Sequence, residues 1–198
     1  MTNKRTMATK TNVGLEAPMA RNLYFSTQVD QDTIGALTES VIEINDHDRK
    51  LEKMYPIYGI KYKPEPIKIY IDSYGGYVYQ CFGLLSVMET SRTPIHTIVT
   101  GAAMSCGFMM LICGHKRFAY ELSTPLYHQV GTGFSGKVKD MEEELKETKR
   151  VQAKIEEIVL RKTKITKEKL KEIYDSKRDW AMDASKALKL GVVDEIIK

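Results

Sequence analysis

The chain has 198 residues, with 30 basic and 26 acidic side chains, four histidines and a formal net charge of +4. That length suits one domain able to bury a real core. Its 42% hydrophobic and 28% charged residues exclude collagen-like, mucin-like and wholly disordered classes. The near-balanced charge speaks against a dedicated nucleic-acid binder. No apolar run approaches the roughly 18 residues of a membrane-spanning helix.

Residues 1–21 are polar and mixed and read as a flexible arm. Lys4, Arg5 and Lys10 precede no apolar core, which argues against a secretory signal. Asn22–Ser26 is the first expected strand. Asp30–Ile44 follows with Ile34, Leu37, Val41 and Ile44 three and four apart, the spacing of a helix. Asn45–Pro66 is tyrosine-rich, carries three prolines, and reads as a long loop or a helical extension ending in one. Ile67–Asp72 has isoleucine at every second position, a strand. Ser73–Gly76 is a tight turn, Val78–Thr90 a helix, and Pro94–Val99 a strand closed by Gly101. Ser105–Cys113 is an apolar, buried helix. Arg117–Tyr120 and Pro125–His128 are short strands. Gly131, Gly133 and Gly136 punctuate a loop or extended arm.

Val138–Lys162 is the longest periodic segment. Met141, Leu145, Thr148, Gln152, Ile155 and Val159 share one stripe, and Glu142 faces Lys146 at i,i+4. Helices near Lys167–Tyr174 and Asp183–Leu190 follow, the second stopped by Gly191, and Val192–Ile197 is the last strand. Strands alternate with helices through the middle, so the expected class is α/β with a largely parallel sheet.

The chemistry concentrates at Gly101-Ala-Ala-Met-Ser-Cys-Gly107. A strand ends, small residues allow a sharp turn, and Ser105 stands where an apolar helix begins. That is the geometry of a nucleophile elbow, with the helix N-terminus adding positive potential for an oxyanion. The bland alternative is a helix N-cap. A nucleophilic serine needs a base. His128 ends a strand before the glycine-rich loop, whereas His96 lies inside a strand, His115 in a polar turn and His47 in the polar insertion. The base needs an orienting carboxylate, and Asp175, Asp179 and Asp183 are the candidates that composition does not rank. Cys81, Cys106 and Cys113 are odd in number and lack a CxxC pair, which points to a reducing, cytoplasmic setting without disulfide framework or structural zinc.

Ile71-Asp-Ser-Tyr-Gly-Gly76, Gly101–Gly107, Tyr127-His-Gln129, Arg178-Asp-Trp180 and Gly191-Val-Val-Asp-Glu195 together resemble the proteolytic subunits of the ATP-dependent Clp proteases, in that family's order and at similar spacing. The resemblance runs from about Asn22 to Lys198. It implies a serine endopeptidase with Ser105 as nucleophile, His128 as base and Asp179 as the orienting carboxylate. It implies an oxyanion hole from the N–H groups of Gly76 and Cys106. Substrate would pair as an extended strand with Tyr77 and Val78 on one side and Gly131, Thr132 and Gly133 on the other. The implied fold is a crotonase-like spiral of βαβ units over residues 22–198, with a protruding strand–helix handle at about residues 131–161.

The same resemblance implies two stacked heptameric rings of this chain, enclosing a chamber where unfolded polypeptides are cut. A hexameric AAA+ unfoldase would feed that chamber, and the subunit needs no cofactor, metal, nucleic acid or membrane. Three features depart from the family pattern: Tyr74 stands where proline is usual, Val130 follows His-Gln, and residues 46–61 form an insertion. A catalytically silent structural subunit is the alternative, against which stands the presence of all three triad residues. The acyl-CoA enzymes of the wider crotonase fold lack this triad, and the signal-peptide peptidase branch pairs serine with lysine. The tyrosine–lysine stretch between Tyr55 and Tyr79 suits surface packing or protein docking better than base stacking.

Overall fold

The computed structural model of the chain describes residues 19–198. Most of the arm expected over residues 1–21 lies outside the described residues. Arg21, at its end, is anchored to the body through Asp48.

Seven strands form one sheet: β1 (Asn22–Phe25), β2 (Ile67–Ser73), β3 (Ile95–Met104), β4 (Lys116–Tyr120), β5 (Thr124–Tyr127), β6 (Trp180–Ala181) and β7 (Glu195–Ile197). The main path runs β1-β2-β3-β4-β7, parallel at every step. Six helices accompany it: α1 (Gln31–Met54), α2 (Val78–Thr90), α3 (Cys106–Ile112), α4 (Val138–Lys162), α5 (Lys167–Ser176) and α6 (Ala184–Lys189). The chain is thus α/β with a mostly parallel sheet.

The ten-residue strand β3 organises the site. One edge pairs with β2. The other is shared: β4 takes His96–Val99 and β5 takes Ala102–Met104. Between β2 and β3 the register shifts after Ile71, and there the Asp72 carboxylate accepts the Ala102 N–H at 2.8 Å. Gly101 makes room for that carboxylate, since a Cβ there would lie 2.6 Å from Asp72 Oδ1.

Strand β2 buries Ile67, Ile69, Ile71 and Ser73 on one face and turns Lys68 and Asp72 outward, the two-residue period of a half-buried strand. Every residue of α3 is buried, so this helix is apolar all round and sits inside the molecule. Helix α1 starts at a capping box between Asp30 and Thr33 and buries Ile34, Leu37, Val41 and Ile44.

Helix α1 also runs well past Ile44. Its extension carries Asp48, which is 5% exposed and accepts from both Arg21 guanidinium nitrogens, Tyr62 Oη and Thr93 Oγ1. These four bonds tie the segment before β1, the helix and the β2 approach into one knot. The stretch over residues 46–61 therefore begins as helix, continues as a 3₁₀ turn over Tyr55–Tyr58 that Gly59 closes at φ 71°, and runs out as irregular chain. Ile57, Tyr58 and Ile60 on it are exposed.

Helix α4 has the bounds its periodicity predicts. The segment before it differs from expectation: residues 128–137 form no strand. A strand needs a ladder partner, and among the described residues none pairs with the 131–135 stretch. The two-residue strand β6, too short to carry any periodicity, was not expected. Val192 and Val193 are buried in the turn ahead of a shorter β7.

Candidate active site

Ser105 joins β3 to α3 with φ 53° and ψ −117°. Among the described residues the other non-glycine with positive φ is Lys177, whose ψ of 33° is ordinary left-handed backbone at a helix end. Ser105 is outside that well, a conformation costing about 1–3 kcal/mol unless its surroundings impose it. They do. Its N–H donates to Leu126 O at 3.1 Å, and its carbonyl accepts the Met109 N–H at 3.1 Å. Gly75 and Gly107 let neighbouring backbone come close: a Cβ on Gly75 would lie 2.7 Å from Met104 O, and one on Gly107 would lie 2.9 Å from Ser73 O. The Ser105 hydroxyl makes no capping bond to α3, so the N-cap alternative does not account for this serine.

The second wall is the Ser73–Gly76 turn. Ser73 Oγ donates to Thr27 O and accepts the Gly75 N–H. Val29 N–H donates to Gly75 O and Tyr77 N–H donates to Val29 O, each at 2.8 Å, so Gly76 forms a parallel bridge with Val29. Gly76 has φ 152°, and a Cβ on it would lie 2.2 Å from Val29 O, so only glycine fits. Its carbonyl accepts the Cys106 thiol at 3.3 Å. Cys106 opens α3, so its N–H has no partner within the helix. Tyr74, 79% exposed, projects from the turn.

The third wall is the end of β5. Half-buried His128 bonds through Nδ1 to Gln129 O at 2.5 Å. A carbonyl only accepts, so Nδ1 carries the proton, and the neutral ring then leaves Nε2 bare. Strands β5 and β6 pair antiparallel, Leu126 with Ala181 and Tyr127 with Trp180. The next residue on each strand is His128 and Asp179. The fold thus brings Asp179 to the neighbourhood of His128, with its side chain exposed and not bonded to the ring.

These walls enclose a cavity of about 160 Å³. Of the residues singled out by sequence, Ser105, His128, Gly76, Cys106, Val78 and Gly131 line it. Tyr77, Thr132 and Gly133 are exposed and outside the lining, as is Asp179. Cys81, Phe82, Met109 and Ile155 complete an apolar floor. The first three lie on the buried faces of α2 and α3, where a helical stripe reads only as core.

The thiols of Cys81 and Cys106 touch. Cys81 donates to Cys106 O at 3.6 Å. The Cys81 thiol holds the pKa of Cys106 below the usual thiol range, while contact with Cys106 and burial push that of Cys81 well above it. Burial pushes the Tyr127 hydroxyl up to about 12, so it stays a neutral hydrogen-bonding group. The described residues contain no cluster of three or more histidine, cysteine or acidic side chains suited to a metal.

Residues 59–198 match the profile of the Clp protease family. The chain belongs to that family. It is 34% identical over 135 residues to the ATP-dependent Clp protease proteolytic subunit of Deinococcus radiodurans, covering 67% of this chain and 65% of that protein. It is 31% identical over 136 residues to proteolytic subunit 2 of Treponema pallidum, covering 68% and 67%. A proteolytic subunit from Porphyromonas gingivalis is 29% identical over 182 residues, 91% of this chain and 75% of that one. The chain therefore spans just under two thirds of the length of the Deinococcus relative. The Clp protease profile begins beyond most of the α1 extension and takes in the glycine turn, Ser105, His128 and Asp179. Among the described residues no helix is long and apolar enough to cross a membrane.

Proposed function

We propose that this chain is a serine endopeptidase subunit that cuts unfolded polypeptides within a chamber built from copies of itself. The backbone of Ser105 carries the reading: φ 53° and ψ −117° at a strand-to-helix turn, with the hydroxyl making no capping bond to the helix it precedes. A strained elbow of this kind lifts a nucleophile clear of its own helix.

Ser105 Oγ attacks the scissile carbonyl and His128 Nε2 takes its proton. Retention of the proton on Nδ1 keeps Nε2 available as that base. Asp179, one rung beyond the Tyr127–Trp180 pair, is the carboxylate whose nearby charge stabilises the imidazolium while the Gln129 carbonyl holds Nδ1. The N–H groups of Gly76 and Cys106 hold the oxyanion, the second at the start of α3. An extended substrate lies along Tyr77 and Val78 on one side and Gly131–Gly133 on the other, pairing as an added strand with a segment that lacks a ladder partner in the lone chain. The cavity floor of Cys81, Phe82, Met109 and Ile155 favours an apolar side chain beside the cut.

The assembly in this reading is two stacked heptameric rings, fed by a hexameric AAA+ unfoldase of the Clp type. The names of the relatives, proteolytic subunits of ATP-dependent proteases, support that partner class. Three buried free thiols suit a reducing cytoplasmic compartment.

The test is active-site labelling with a fluorophosphonate, read by intact mass and peptide mapping. Ser105 takes one adduct, and Ser105→Ala loses it together with hydrolysis of short fluorogenic peptides. A wild-type chain that neither labels nor hydrolyses, in an intact assembly, would make this a structural subunit instead.

A further inference from the structure

Gln152 occupies a position on the apolar stripe of α4 where packing alone would favour a hydrophobic side chain, and it is 6% exposed. Its amide is fully used. Oε1 accepts the Val130 N–H at 2.9 Å, and Nε2 donates to Tyr127 Oη at 3.2 Å and to Glu156 Oε1 at 2.7 Å. The opposite amide orientation would set an NH₂ group against the Val130 N–H and an oxygen against a carboxylate, so the partners define which end is which.

Tyr127 and Val130 bracket His128. The peptide linking Gln129 to Val130 has its N–H on Gln152 and its carbonyl on His128 Nδ1. A planar trans peptide points these two groups in opposite directions. Fixing the N–H therefore fixes where the carbonyl points, and the carbonyl holds the ring and its proton.

We propose that Gln152 is a positioning residue for His128. Acting through the 129–130 peptide, it sets the ring orientation and keeps the proton on Nδ1, so that Nε2 faces Ser105 as a base. The inference rests on the reading of Ser105 and His128 as nucleophile and base. Gln152 itself contacts neither substrate nor the reacting atoms.

The experiment compares wild type, Gln152→Met, Gln152→Asn and Gln152→Glu in the assembled protein, measuring kcat and KM on a fluorogenic peptide and the rate of fluorophosphonate labelling at Ser105. Methionine keeps the volume and removes all three hydrogen bonds. Asparagine keeps the amide but shortens its reach, which preserves a test if the methionine variant does not fold. Glutamate keeps an acceptor for Val130 and loses the donors. Mispositioning of a catalytic group by a fraction of an ångström to an ångström costs about 10- to 100-fold, so kcat and labelling fall by about that factor in the Met and Asn variants. KM stays within about twofold, because Gln152 makes no hydrogen bond to Tyr77, Val78 or residues 131–133. Glutamate, paired with Glu156→Gln so that an amide and not a second carboxylate faces it, restores labelling to within severalfold of wild type.

Met and Asn variants that assemble and match wild type in kcat overturn this inference alone, as does a paired glutamate variant as slow as the methionine one. A fall confined to KM also overturns it. A wild type that does not label at Ser105 overturns the peptidase reading and this inference with it.

Discussion

A Cβ atom on Gly75 would lie 2.7 Å from the Cβ of Ser105, so the glycine turn and the serine turn are packed backbone against backbone. Gly75 also has φ 96°, a conformation that side chains resist. Gly75→Ala therefore meets strain and collision at once, and neither neighbour is the free end of a flexible side chain. We expect a loss of about 2 kcal/mol or more in urea unfolding. Any folded fraction should label at Ser105 far more slowly than wild type, because the collision displaces the nucleophile.

Strain at Ser105 makes an opposite prediction. Glycine adopts φ 53°, ψ −117° without a Cβ penalty, so Ser105→Gly releases conformational energy that the native protein stores. After allowing for the greater freedom of glycine in the unfolded chain, a net gain of about 1 kcal/mol is expected, with complete loss of labelling. The check is a raised urea midpoint at unchanged slope. A lowered midpoint would show that the hydroxyl stabilises the fold.

Asp48 is the centre of a buried polar knot with Arg21, Tyr62 and Thr93. Burial works to raise its pKa. The bonds from Arg21, Thr93 and Tyr62 outweigh burial and hold it below the ordinary 3.8. The same site pushes the Tyr62 hydroxyl up to about 12, chiefly through burial and then through the Asp48 bond. A carboxylate with a lowered folded value contributes stability that is complete above the unfolded value and is lost as pH falls through the folded one. Asp48→Asn leaves the Arg21 charge without its partner and should cost about 3 kcal/mol at pH 7. The gap between wild type and variant should narrow as pH falls from the ordinary value of 3.8 through the lower folded one, followed by urea unfolding at each pH. A gap that stays constant down to pH 2 would remove Asp48 ionisation from the account.

Helix α4 buries side chains from Val151 onward, while Val138 and Leu145 on its first half are 69% and 46% exposed. Phe134, ahead of the helix, is also exposed. This arm is costly to leave in water and fits a surface on another copy of the chain. Sedimentation at micromolar concentration should give a mass many times the 22.6 kDa of one chain. Leu145→Asp should shift that mass downward while leaving the far-ultraviolet circular dichroism of the protomer intact. A wild-type species of one-chain mass would refute the chambered assembly.

What the sequence by itself determined is what repeats locally. The alternating isoleucines of β2, the three-and-four spacing that set α4 at Val138–Lys162, and the all-apolar run of α3 each follow from side-chain periodicity. The order of the five motifs placed the chain near the Clp proteases for the same reason: each motif is short and contiguous. Gln152 was visible on the α4 stripe as one polar side chain among apolar ones, but nothing local says which backbone it serves. Tertiary structure decided the rest. The backbone of Ser105 is held by Leu126 on one side and by the Ser73–Gly75 turn on the other, two segments far apart in the chain. The Nδ1 partner of His128 is the Gln129 carbonyl, whose direction depends on a glutamine 22 positions beyond Val130. Asp179 reaches the His128 neighbourhood through a two-residue strand with no periodicity of its own, and the α1 extension is fixed by a bond from Asp48 to Arg21 across 27 positions. Close approach of distant backbones leaves no spacing in a sequence; it is set by packing, and at Gly75 and Gly76 it leaves as its trace the absence of a side chain.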